Sequence, residues 1–527
     1  MANSTIRSIT STELRNRWRG GGEIALFDVR EEGPYADAHP LFACSLPLAR
    51  IEMRILELVP RKDAPVAVYD RGEGFAERAA KRIAALGYTD VFILEGGMDA
   101  YAREGELYRD VNSASKAFGE LVECIRHTPS VSADELDRLQ KSGTDMVVLD
   151  SRPFSEYSVM NIPNGISVPG AELALRARAL APSKDTLIVV NCAGRTRSII
   201  GAQSLVNAGV PNRVAALRNG TIGWTLAGKQ VETGADRRYG ALGSEAHKIA
   251  REHAARWAEH AGVRIIRNGD LESFRQDRSR TLYCFDVRSP EEYAAKHPAG
   301  FVSAPGGQLV QANDEWVGVR GGRIVLFDDD GVRARMSASW LVQMGWDAMV
   351  LEAGELSADE PGIPAPKRPA LPKEGISFIE AADLSREDAA AIVDLARSPE
   401  YRKGHIPGAH FVLASRFAED LAKVPGSGPI TLASPDGDLA IFSHADAVAA
   451  AKRPVRVLRG GTAAWKAAGL PVESGGHSWL SPQIDAYKRP YEGTDNAAEA
   501  MQAYLDWEAG LVAQLANDGV SRFRVVR

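Results

Sequence analysis

The chain of 527 residues contains only 4 cysteines, Cys44, Cys124, Cys192 and Cys284, widely scattered and in no C-x-x-C pair. That scarcity excludes a disulfide framework and a cysteine-rich zinc site. Cysteine chemistry here is that of a single thiol. Long apolar runs are also missing: no stretch approaches the roughly 18 residues of a membrane span, and "MANSTIRSITSTELRNRWRG" lacks the apolar centre of a secretory signal. A cytoplasmic protein without a membrane partner is expected. Positive charge is not in excess either, since the formal net charge is −6, whereas a general nucleic-acid binder carries a basic field that neutralises phosphates. Nucleic acid is therefore not an expected partner. Hydrophobic residues at 45 % and charged residues at 25 % exclude a disordered chain.

The length asks for several domains, and internal similarity says how they arise. Each of four copies opens on a short strand and a capped helix start: "TIRSITSTEL", "TPSVSADEL", "VRIIRNGDL" and "GISFIEAADL". An apolar strand ending in an acid follows, as "ALFDVR", "MVVLDSR", "LYCFDVR" and the weaker "AAIVDLAR", where the arginine is displaced by one position. Next come a proline turn ("AHPLFA", "NIPNGI", "KHPAGF", "HIPGAH") and a second buried strand ("PVAVYD", "LIVVNC", "RIVLFD", "PITLAS"). In the first three copies a loop then leads into a helix closed by glycine, and the last strand and turn read "VFILEGGMDAY", "VAALRNGTIGW", "AMVLEAGEL" and "VRVLRGGTAAW". Strands alternating with helices predict an α/β fold: a mainly parallel sheet flanked by helices on both faces, in each of four tandem domains. The expected limits are 1–110, 125–238, 260–360 and 373–480, with a helical tail over 481–527. A helical connector is expected over Gly243–Gly262 and a proline-rich linker over Pro361–Gly375.

The chemistry concentrates in "VVNCAGRTRSII", Val189 to Ile200. Cys192 ends a buried strand, and a helix starting near Ser198 should aim its free amides at the sulfur. With Arg195 and Arg197 beside it, the thiol is expected to ionise toward neutral pH and act as a nucleophile in an anion cradle. Arg197 is read as an exposed loop charge, whose loss costs donor use rather than folding.

The Asp-x-Arg strand end, the "HIPGA"-like turn, the strand-Cys-loop-helix element and the closing "GG…W" turn resemble those of the rhodanese family. The whole chain is similar to a tandem four-domain rhodanese-related thiosulfate sulfurtransferase. The resemblance implies one active site, in the second copy. Cys192 would be the nucleophile and persulfide carrier, and Ala193, Gly194, Arg195, Thr196, Arg197 and Ser198 would bind a small anionic sulfur donor. The acceptor would be a thiol or cyanide, and no cofactor or metal is implied. Asp150 and Arg152 would support the site, read as a structural ion pair before a catalytic one. A non-catalytic sulfur carrier or scaffold, and an arsenate reductase or phosphatase, stay as alternatives. Against the last, the residue six places after Cys192 is Ser198, where a phosphate-holding loop has arginine.

In the Cys192 position the first copy has Asp70, the third Asp328 and the fourth is read as Ala433, so none of these can carry a persulfide. "FDDDG" of the third copy is taken as a solvated turn, Cys284 as core, and Cys44 and Cys124 as structural, with a part in sulfur relay left open. "RGEGFAER" lacks the third glycine of a dinucleotide loop. His247, His253 and His260 lack the spacing of a zinc pair and are expected at the surface or between domains. Dimerisation and a protein acceptor are undecided at this level.

Overall fold

A computed structural model describes residues 6–352, 354, 359–387 and 391–527. Part of the third copy's closing turn, residues 353 and 355–358, lies outside them, as do residues 388–390 before the fourth copy's "IVD" strand. One five-stranded parallel unit recurs four times. In the second copy its strands run in the order Ser130–Val131, Val214–Leu217, Leu187–Asn191, Met146–Asp150, Ile166–Ser167. Alternation along these strands makes two cores: Val148, Val189, Ala215 and Leu217 face Leu136 and Trp224, while Leu149, Ile188, Val190 and Ala216 face Leu173, Ala202 and Leu205. Both faces are therefore covered by helix, as a parallel sheet requires.

The copies interlock rather than hang as beads. The strand Val319–Arg320 of the third copy pairs antiparallel with Ile24–Asp28 of the first, extending that sheet. One hydrophobic core continues from Phe27 and Val66 through Ala254 and Trp257 of the connector helix Ser244–Ala261 to Leu326 and Trp340. His247, His253 and His260 of this helix bond the carbonyl oxygens of Asp330, Ala208 and Arg527, which ties the connector to its neighbours. Among the described residues no group of three or more potential metal ligands occurs, and no helix is long and apolar enough to cross a membrane.

Three features differ from expectation. A helix over Ser113–Arg126, for which the sequence reading assigned no element, separates the first two copies and is buried along most of its length. The fourth copy does have a helix after its loop, Asp438–Ala450. The tail forms two helices, Ala498–Ala509 and Leu511–Asp518, broken at Gly510. Beyond them the chain runs on to pack Phe523, Val525 and Val526 against the shared core.

Candidate active site

Asp150 and Asn191 end two paired strands side by side, and Cys192 is the next residue. The helix behind the loop begins at Thr196, two residues before the expected start, because Arg195 already takes helical backbone angles. The loop is held from behind by the closing turn: the Thr221 and Ile222 amides donate to the carbonyls of Cys192 and Ala193, each at 2.9 Å. Gly220 permits this approach. With φ of +53°, a Cβ there would lie 2.4 Å from the Cys192 oxygen.

The four copies share one cradle. The amide six residues beyond the loop's first residue points to its centre: Ser198 toward the Cys192 sulfur, Ala76 to Asp70 at 2.9 Å and Ala334 to Asp328 at 2.8 Å. In the fourth copy Ala440 donates to the hydroxyl of Ser434 at 3.3 Å. Strand register corrects the assignment there: Asp394 pairs with Ala433 as Asp150 pairs with Asn191, so Ser434 and not Ala433 stands in the cysteine position. Asp70 accepts further amides from Gly72 and Phe75, and Asp328 from Gly331. In these two copies a carboxylate fills the anion site. The "FDDDG" turn is not solvated: Asp328 and Asp330 are buried, and Asp330 caps the following helix through the Val332 and Arg333 amides.

The arginines behave differently from the expectation of two free positive charges. Arg195 closes its guanidinium on Glu120, at 2.7 and 2.8 Å, on Glu123, and on Asn219 at 2.9 Å. The two acids come from the unforeseen helix Ser113–Arg126. Arg197 forms a two-pronged pair with Glu156, 2.8 Å at each prong, and its side chain is 10 % exposed. Against the cost of burial, Arg197 holds the Glu156 carboxyl below its usual range. Arg197 is thus a buried partner of the loop rather than an exposed charge.

Cys192 itself is 2 % exposed. Burial pushes its thiol above the ordinary range, while Arg197 and the Ser198 hydroxyl and amide pull the other way. This desolvation opposes the expected lowering of the thiol and left no sign in the loop sequence. The tail packs on the next residue of the loop: Tyr491, Met501, Tyr504 and Leu505 cluster with Ala193 and Ile222. Gly194 lies under Tyr504, whose ring would be 3.2 Å from a Cβ at that position. Thr196 is buried, its hydroxyl unpartnered. Asp150 and Arg152 form a buried fork, Nε to Oδ1 2.9 Å and Nη2 to Oδ2 2.7 Å, with Arg152 also donating to the Met160 carbonyl. The same fork recurs at Asp28–Arg30 and Asp286–Arg288, in copies without a cysteine, so it belongs to the framework of the turn.

The other thiols stand apart. Cys44 packs in the shared core, where burial raises its pKa, and burial likewise pushes Cys284, half-buried on its strand, up to about 12. Cys124 is exposed. Sequence reasoning missed Glu120, Glu123, Glu156, Asn219, Tyr504 and Glu508, which reach the loop from four other elements. Only Glu156 had a signal, in that Glu292 stands at the same offset beside Arg333 in the third copy.

The rhodanese-like domain family matches four times, at residues 10–104, 132–227, 270–355 and 377–468. The chain belongs to the rhodanese family. A thiosulfate sulfurtransferase from Pseudomonas aeruginosa, known from its crystal structure, is 51 % identical and superposes with a TM-score of 0.96, over 99 % of this chain and all of that one. Single rhodanese copies have wider likeness. The HTH-type transcriptional regulator Rv0324 of Mycobacterium tuberculosis is 32 % identical over 106 residues, which are 20 % of this chain and 46 % of the regulator. The uncharacterized protein YqhL of Bacillus subtilis is 32 % identical over 92 residues, 18 % of this chain and 69 % of that protein.

Proposed function

We propose that this rhodanese is a sulfurtransferase that moves the outer sulfur of thiosulfate, or of a similar small anionic donor, to a thiol or cyanide through a persulfide on Cys192. The observation that carries the reading is the thiol at the focus of a cradle that holds carboxylates in two sister copies. A group with that position and reactivity is suited to accept sulfur and to shelter the resulting anion. The likeness to the Pseudomonas aeruginosa thiosulfate sulfurtransferase supports the choice of donor.

In the first step the Cys192 thiolate attacks the outer sulfur of the donor. A new S–S bond forms, the S–S bond of the donor breaks, and sulfite leaves with the bonding pair. The persulfide anion then rests among the amides from Ala193 to Ser198. In the second step cyanide or a thiolate attacks the terminal sulfur, and Cys192 leaves as thiolate, so no external electrons are needed. Arg195, bonded to Glu120 and Glu123, shapes the loop, and Arg197, although paired with Glu156, favours the thiolate of Cys192. Asp150 and Arg152 hold the strand end from which the loop departs. The cytoplasm is the proposed setting, since the 4 cysteines are free thiols.

Intact-protein mass spectrometry after incubation with thiosulfate tests the reading. Wild type is expected to gain one sulfur atom that cyanide removes, and Cys192→Ser to gain none. An adduct on Cys192→Ser, or none on wild type, overturns it.

A further inference from the structure

The tail helix Ala498–Ala509 does more than pack on the loop, because it brings a carboxyl group to it. Glu508 is wholly buried. Its Oε1 accepts the Tyr504 hydroxyl at 2.7 Å, while its Oε2 has no hydrogen-bond partner. That oxygen lies 3.6 Å from the point where a Cβ of Gly194 would stand. A buried polar atom without a partner is costly and calls for a physical account.

The groups facing Glu508 decide its state. Lys116 and Glu120 come from the helix Ser113–Arg126, Arg195 from the loop, and Tyr504 from its own helix. Lys116 is bonded to Asp110 at 2.8 Å and lies over the Tyr504 ring, and Arg195 is taken by Glu120 and Glu123. Both cations are thereby drawn off. Burial raises the Glu508 carboxyl to about 8, with Lys116 opposing and Glu120 adding to the rise. Near neutral pH the group is a carboxylic acid. Since Oε1 already accepts from Tyr504, the proton belongs on Oε2, where it points to the loop as a free donor.

Resting on the sulfurtransferase reading, we infer that Glu508 is a specificity-determining residue of the Cys192 site, its Oε2–H donating a hydrogen bond to the oxyanion end of the sulfur donor. The tail helix is then the roof of the substrate site. A donor reaches the sulfur only when the contact of Met501, Tyr504 and Leu505 with the loop opens. Donors with sulfonate-type oxygens are favoured over persulfides that lack them. The sign of the pH effect follows: below about pH 8 the protonated group holds the anion, and above it the carboxylate repels the anion, so KM for thiosulfate rises. Ionisation of Cys192 acts in the opposite sense and on kcat.

Steady-state kinetics with thiosulfate and cyanide on wild type, Glu508→Gln and Glu508→Ala, at about pH 7 and about pH 9, separate the two. Glu508→Ala is expected to raise KM about tenfold at the lower pH, the value of one strong hydrogen bond, with kcat changed much less. Glu508→Gln keeps an uncharged donor, so it should retain the neutral-pH KM and lose the alkaline rise. A Glu508→Gln enzyme with the wild-type rise, or an unchanged KM in Glu508→Ala, overturns the assignment; if Glu508→Ala does not fold, Glu508→Gln alone decides. Failure of wild type to take sulfur from thiosulfate overturns the sulfurtransferase reading, whereas sulfur uptake with indifferent Glu508 variants overturns only the role of Glu508.

Discussion

At the scale of the residue, Arg197 is instructive because its value lies in what it neutralises. Its guanidinium is nearly buried while the Glu156 side chain stays 32 % exposed, so deleting the arginine leaves a partly solvated charge behind. Arg197→Met is expected to cost about 1–3 kcal/mol of stability, and the double change Arg197→Met, Glu156→Met to recover most of it, as read by denaturant unfolding. If the single change leaves stability untouched, the pair does not form in solution. The place of Cys192 at a strand end before a helix was legible in its sequence, since a thiol, a glycine and a helix start follow one another directly. The surroundings of that loop were not, because Tyr504 and its neighbours, which pack on Ala193, lie some 300 residues away along the chain.

At the scale of the element, the helix after the third copy's loop carries Arg333, the counterpart of Arg197. It bonds Glu292 of its own copy at 2.6 and 2.9 Å, and Glu172 of the second copy at 2.6 Å. A copy without a thiol in its loop thus uses the retained loop arginine as a clamp on the copy that carries Cys192. Burial would raise Glu292, but Arg333 and the Ser289 cap hold it down to about 2. A lowered carboxyl stabilises the fold above its ordinary range of about 4.3 and loses that contribution as pH falls toward about 2. Arg333→Met is therefore expected to flatten this acid limb in a plot of unfolding midpoint against pH, and to lower stability at neutral pH. An unchanged acid limb would show that the clamp contributes nothing.

At the scale of the whole molecule, the first and third copies share one core and one extended sheet, while the fourth packs mainly on clusters of its own residues. The tail adds a buried ion pair between Arg15 and Asp518, 2.6 Å long, across nearly the full chain. Elements that share a core unfold together. Calorimetry is expected to give two transitions, a large one for copies one to three with the tail and a smaller one for the fourth copy. Asp518→Asn should move only the larger. Four independent transitions would refute the shared core.

The repeat, the parallel α/β unit and the site of the thiol were determined by the sequence alone, because each depends on local pattern: apolar alternation, proline and glycine turns, and a cysteine at a strand end. Even the Ser434 position was open to a stricter alignment of "PITLAS" with "LIVVNC". What only the tertiary structure decided is the electrostatic state of the site. Arg195 meets Glu120 from one helix, Arg197 meets Glu156 from another, and the tail brings Tyr504 and Glu508 to Gly194 of the loop. Charge and solvation act through space, and residues distant in sequence leave no local pattern that announces the contact.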